Sequence, residues 1–140
     1  MIDIDEFMAG CRPSIRALVE QFGGGEAALA FDADPLSAVG VLDDYVQRLP
    51  VGEFEVEDWI TLHSDLLAFV MVVLQETYGG ICRARLDGSL PTGWEPVVDV
   101  VGPDASHRVI APTPLVREHL VPVPQRVPRL VEAVARRAAG

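Results

Sequence analysis

The sequence predicts an α+β fold, in which N-terminal helices and a long central buried helix pack on a small, about three-stranded antiparallel meander, with C-terminal helices. Three observations predict it. Apolar residues recur at spacings of three and four up to Tyr78, alternate with polar ones after Gly80, and return to helical spacing past Pro112. The chain has 140 residues, 49% hydrophobic and 23% charged, the length and balance of one core, so a single domain over 1–140 is expected.

Ile4, Phe7, Met8, Cys11, Ile15, Leu18, Val19 and Phe22 form one helical stripe. Pro13 falls within it, so the stripe is either one kinked helix from about Asp3 to Phe22 or two short helices with Pro13 near the start of the second. Gly23, Gly24 and Gly25 end it, because glycine takes the left-handed cap conformation without steric cost. Ala27 to Phe31 is a short apolar run that reads as a strand or a turn of helix. Asp34-Pro35 is an N-cap and first-turn pair, and Leu36, Val39, Leu42, Val46 and Leu49 give the next helix an apolar face up to Pro50.

In Glu53-Phe54-Glu55-Val56-Glu57-Asp58, acids alternate with apolar residues and then meet the positive end of a third helix, about Glu57 to Tyr78. That helix is apolar on nearly every side and is expected at the centre, with Gly79-Gly80 closing it. Beyond it, Ile81 to Leu86 and His107 to Ala111 alternate, and Trp94 to Val101 is rich in valine. Turn signals at Asp87-Gly88-Ser89 and Pro103-Asp104 separate these three strands. Eight of the 11 prolines lie in the last 50 residues and keep the elements short. Thr113 or Pro114 to Leu120 predicts a brief helix, and Val127, Leu130, Val131 and Val134 a stripe on a C-terminal one, where Glu132 and Arg136 form an i,i+4 pair.

Composition excludes several kinds of function. All 11 basic residues are arginine, and both Lys and Asn are absent. No Walker-A, Schiff-base or protein-kinase lysine and no Cys-His-Asn triad can therefore be assembled. The same absence beside abundant Ala, Val, Gly and Arg points to a high-GC bacterial genome. With 21 acids and a net charge of -10, the chain repels phosphate backbones, so no nucleic-acid or membrane partner is expected. The longest apolar run, Leu66 to Leu74, is about half of what a bilayer requires. The opening MIDIDE is acidic where a secretory leader is basic, so a cytoplasmic location with Cys11 and Cys82 as reduced thiols is expected.

Chemistry-bearing patterns are few. His63, His107 and His119 lack ligand spacing, and Asp32-x-Asp34 fails as a calcium loop because Leu36 and Ser37 hold the third-ligand and glycine positions. His63 reads as a core or boundary histidine in line with Leu67, Val70 and Leu74. No metal and no cofactor are expected, and the triple glycine lacks the Gly-Lys-Ser/Thr of a phosphate loop. No catalytic residue is assigned, since Ser89 sits in a turn and Asp43-Asp44 point about 100° apart on a helix. The remaining polar set lies on predicted strands. Either Arg83 or Arg85 pairs across strands with Asp99, or Arg83, Arg85 and Arg108 join His107 as an anion pocket.

The runs LAFDADPLSAVGVLDDYVQRL (residues 29–49), DLLAFVMVVLQETYGG (65–80) and VIAPTPLVREHL (109–120) together resemble a family of uncharacterised bacterial domains. The family's central helix has the form Leu-Gly-x-Phe-x-Gly-Glu-x-Ile and ends in Tyr-Gly-Gly-x-Trp. Leu66, Phe69, Tyr78, Gly79 and Gly80 match it, within a resemblance covering about Ala28 to Val134. Met71-Val72 replace the Gly-Glu and Cys82 replaces the tryptophan, so no role for that glutamate carries over. The resemblance implies helices packed on a small sheet and no known activity.

Charge divides the chain: residues 1–80 sum to -12 and residues 81–140 to +2. The leading expectation is therefore a non-catalytic cytoplasmic interaction domain that binds a basic protein partner through an acidic helical surface including Asp43, Asp44, Glu53, Glu55 and Glu57. One version is antitoxin-like or immunity-like, with carboxylates filling a partner's basic groove. The alternative is a small-molecule anion binder or minor enzyme using Arg83, Arg85, His107 and Arg108. A third expectation is a homo-oligomer, with Arg126, Arg129, Arg136 and Arg137 of the C-terminal helix docking on an acidic neighbour.

Overall fold

Asp3 opens the first helix by accepting the Glu6 N–H at 3.0 Å, which satisfies one of the donors a helix start leaves free. In this computed structural model, which describes residues 3–120 and 125–139, helix α1 then runs over Ile4–Ala33. It continues through Pro13 and is interrupted at Gly24, whose φ of 87° and ψ of 179° are not helical. Arg16 Nε lies 2.9 Å from Asp32 Oδ1, and Arg12 Nη1 lies 3.3 Å from the same oxygen. In one straight helix Arg16 and Asp32 would be about 24 Å apart along the axis. The two arms therefore fold back on each other around Gly24, as an αα-hairpin.

The triple glycine breaks the first helix as expected, but the chain turns helical again at once. Ala27 to Phe31 belongs to the second arm; no strand forms there. The reason is packing: Ala28 and Phe31, one helical turn apart, are both fully buried, and Phe31 also lies under the Arg12 guanidinium, 4.9 Å from its ring centre. Gly23 is required by proximity, since a Cβ there would come within 2.9 Å of a Val41 methyl carbon.

Asp34 ends α1 through its own N–H, bonded to the Ala30 carbonyl, and caps the succeeding turn by accepting the Leu36 N–H at 3.0 Å. That 3-10 turn, Pro35–Ala38, leads directly into α2 (Val39–Gln47), which buries Leu42, Asp43 and Val46. A second 3-10 turn, Val51–Glu53, precedes α3 (Val56–Glu76), whose first turn is closed by Asp58 accepting the Glu55 N–H at 2.9 Å. Every side chain from Ala68 to Leu74 is buried, the central position predicted from its all-round apolarity. No helix among the described residues is long and apolar enough to cross a membrane.

Strands β1 (Ile81–Leu86), β2 (Trp94–Val101) and β3 (His107–Ile110) form an antiparallel sheet in the order β1-β2-β3. Register sets Ile81 opposite Asp99, Arg83 opposite Val97, Arg85 opposite Glu95, Val98 opposite Ile110 and Val101 opposite His107. Alternation then divides the sheet. Cys82, Val98, Val100 and Ile110 face the helices and join the core, and the intervening residues face away. Helix α4 covers Pro112–Leu120 and α5 covers Val127–Ala139, with Val127, Leu130, Ala133, Val134 and Ala138 buried along one stripe. Among the prolines that were expected to punctuate this half, Pro122 and Pro124 lie outside the described residues.

Candidate functional site

Strand alternation decides the fate of the arginine set. Arg83 and Arg85 share the outward face of β1, and His107 is exposed on the outward face of β3. Arg108, the next residue along, points to the opposite side of the sheet. There its Nη2 meets Asp104 Oδ2 at 3.3 Å and the Ala139 carbonyl at 3.2 Å, at the end of α5. The four residues do not converge. The cross-strand pairing holds instead: Arg83 Nε meets Asp99 Oδ2 at 2.8 Å and Arg85 Nη2 meets Glu95 Oε1 at 2.7 Å. Each sheet arginine is thus paired with its own carboxylate.

The acids named from the sequence also separate. Asp43 is not part of an acidic surface, because its carboxylate is only 11% exposed and is held by α5. It accepts two N–H groups of Arg126, the shorter at 2.8 Å, and the backbone N–H of Val127 at 2.9 Å. Asp44, adjacent and about 100° further round the helix, is exposed. Glu53, Glu55 and Glu57 are exposed as well, grouped on the second 3-10 turn and the start of α3. No arginine among the described residues pairs with any of these four exposed acids. Some carboxylates elsewhere are matched, as where Arg16 bonds Asp32 and holds its carboxyl below the usual range.

Two features of this end of α3 were not singled out from the sequence. Val56 and Ile60, one turn apart, are 75% and 59% exposed in the midst of the acids. Their spacing off the core stripe was the available signal. Beside them lies a groove of about 320 Å³, floored by Leu49, Pro50, Phe54 and Leu62 and edged by Glu53, Asp58 and Tyr45. Phe54 is fixed by edge-on contact with Trp59, ring centres 4.9 Å apart. The Tyr45 hydroxyl donates to Asp65 Oδ2 at 3.4 Å, and half-burial pushes the Asp65 carboxyl above its ordinary range. An apolar floor with carboxylates at its rim suits the aliphatic stem and cationic head of an arginine or lysine side chain.

The remaining candidates are structural. His63 Nε2 lies 3.0 Å from the Thr113 carbonyl and ties α3 to α4. Among the described residues no group of three or more His, Cys, Asp or Glu side chains is placed to hold a metal ion. Cys11 and Cys82 are free thiols. Burial, followed by the nearby Cys11, pushes the Cys82 thiol up to about 11. At pH 8 its thiolate fraction is therefore about 100-fold below that of an ordinary cysteine. Alkylation by iodoacetamide is expected to be slower than for the denatured chain by about that factor, which a timed mass-spectrometric assay would check; equal rates would contradict it.

No protein-family model, curated protein or solved structure matches the chain.

Proposed function

We propose that the chain is a non-catalytic interaction domain that binds a basic segment of a partner protein at the acidic end of α3. One observation carries the reading: Glu53, Glu55 and Glu57 have no arginine partner among the described residues, and they flank the exposed side chains of Val56 and Ile60 along the chain. Isolated exposed apolar residues are ordinary, but an apolar pair ringed by one sign of charge has the anatomy of an interface centre and rim. Unpaired carboxylates steer a cationic partner at long range, and the apolar pair gives it a surface to bury. The groove next to Phe54 receives one basic side chain, with Glu53 and the free oxygen of Asp58 as acceptors.

The test is a pull-down from native lysate at low salt, with the wild-type chain and with Glu53→Arg/Glu57→Arg as bait. A stoichiometric basic partner is expected on the wild type, released as salt rises and retained at least about tenfold more weakly by the reversed variant. Recovery of no such partner, or equal retention by both baits, would overturn the reading. Arg85→Gln, on the sheet, is the control and should retain the partner unchanged.

A further inference from the structure

Among the described residues, no helix covers the outward face of the sheet. The core takes Cys82, Val98, Val100 and Ile110 from the strands, all on the other side. On the open face Ile81 is 73% exposed, Val101 57% and Val109 52%, so the apolar surface there is larger than at the end of α3. Val97, opposite Arg83 and between Glu95 and Asp99 on its strand, is fully buried without joining the core cluster.

We propose that this face binds a second copy of the same chain, making a face-to-face dimer. The argument is one of charge. Two chains of net charge -10 repel, and they approach most readily through a surface that carries no excess of acid. The outward sheet face is such a surface: Arg83 and Arg85 on β1 balance Asp99 and Glu95 on β2. The exposed apolar pair on α3, by contrast, sits among unpaired acids that would oppose their own copies.

The arrangement is also self-complementary. A two-fold axis running along the strands between β1 and β2 places β1 of one copy over β2 of the other. Register then sets Arg85 of each copy above Glu95 of its mate, and Arg83 above Val97, between Glu95 and Asp99. Arg85 thus meets Glu95 across the interface as well as within its own sheet, and Ile81, set above Asp99 of the mate, supplies apolar area that leaves water. Stacking of two sheets on their exposed faces is an ordinary packing mode.

Sedimentation equilibrium of the full chain, from micromolar to sub-millimolar concentration, tests this. The wild type is expected to double its mass within that range, and Ile81→Glu, which sets a second acid over Asp99 of the mate, to remain a monomer with an unchanged circular dichroism spectrum. Arg85→Glu and Glu95→Arg should each fail to self-associate, since each sets like charges face to face. Mixed in equal amounts, those two variants should form a heterodimer, an outcome that a purely internal role for the ion pair would not produce. A wild type that stays monomeric throughout overturns the assignment and leaves the face to a different protein. So does a dimer that Ile81→Glu leaves intact, or a mixture that does not associate.

Discussion

Replacing Asp43 with Ala is expected to lower the unfolding free energy by about 2–4 kcal/mol, read from urea denaturation as a lower midpoint at unchanged slope. The carboxylate accepts from Arg126 Nε and Nη2 and from the Val127 N–H. These bonds join residues 83 and 84 positions apart, so they fasten α5 to α2. Removing the acceptor leaves a buried backbone donor unsatisfied at the first turn of α5, and that deficit exceeds the value of a surface ion pair. Asp43→Asn retains an oxygen for Val127 and should lose only about 1–2 kcal/mol. Asp44→Ala, exposed and next in sequence, should change stability by no more than about 0.5 kcal/mol. If Asp43→Ala matched Asp44→Ala, the structural role given to Asp43 would be wrong.

Gly80→Ala is expected to cost about 3 kcal/mol and to lower the melting temperature by about 10 °C. Gly80 lies where α3 hands over to β1, and its N–H bonds the Leu74 carbonyl at 2.8 Å. A Cβ there would overlap a Val98 methyl and come within 2.9 Å of that same carbonyl oxygen. Val98 is packed in the core and the carbonyl belongs to the helix, so neither yields without disturbing β2 or the end of α3. Neighbouring Gly79 has φ of 66°, the left-handed region that ends helices, and its demand is conformational. At Gly80 the demand is for space, and calorimetry showing an unchanged melting temperature for Gly80→Ala would refute it.

Much of the fold was legible because two independent signals agreed at each boundary. The end of β1 is marked by alternation that stops at Leu86 and by Asp87, whose carboxylate bonds the Ser89 N–H at 2.9 Å. The start of α3 combines an apolar period with Asp58, which closes the first turn. The hairpin at Gly24 was not legible, because three glycines terminate a helix or reverse it equally well. What decides is remote: Asp32 reaching Arg12 and Arg16, and Val41 packing against Gly23.

The site was half legible. His107 and Arg108 were grouped because they share a strand, although their adjacency already placed them on opposite faces. Asp43 and Asp44 were grouped as acids, although one helical step separates a core-facing position from a solvent-facing one. The partner of Asp43 is Arg126, 83 residues away, and no local pattern announces it. The unpaired state of Glu53, Glu55 and Glu57 was likewise invisible, because it depends on where all the arginines go.

The reversal at Gly24 also sets an order of events as the chain folds. The bonds from Arg12 and Arg16 to Asp32 close loops of 20 residues or fewer, whereas the lock between α2 and α5 closes one of 83. Closing a short loop takes less chain entropy and far less time, so the two arms of α1 meet within microseconds of collapse. They present Cys11, Ile15, Val19 and Phe31 as one ready apolar surface on which α3 condenses. The sheet, whose paired residues are 6 to 18 positions apart, closes as locally as the two arms, and α5 latches last onto a carboxylate already in place.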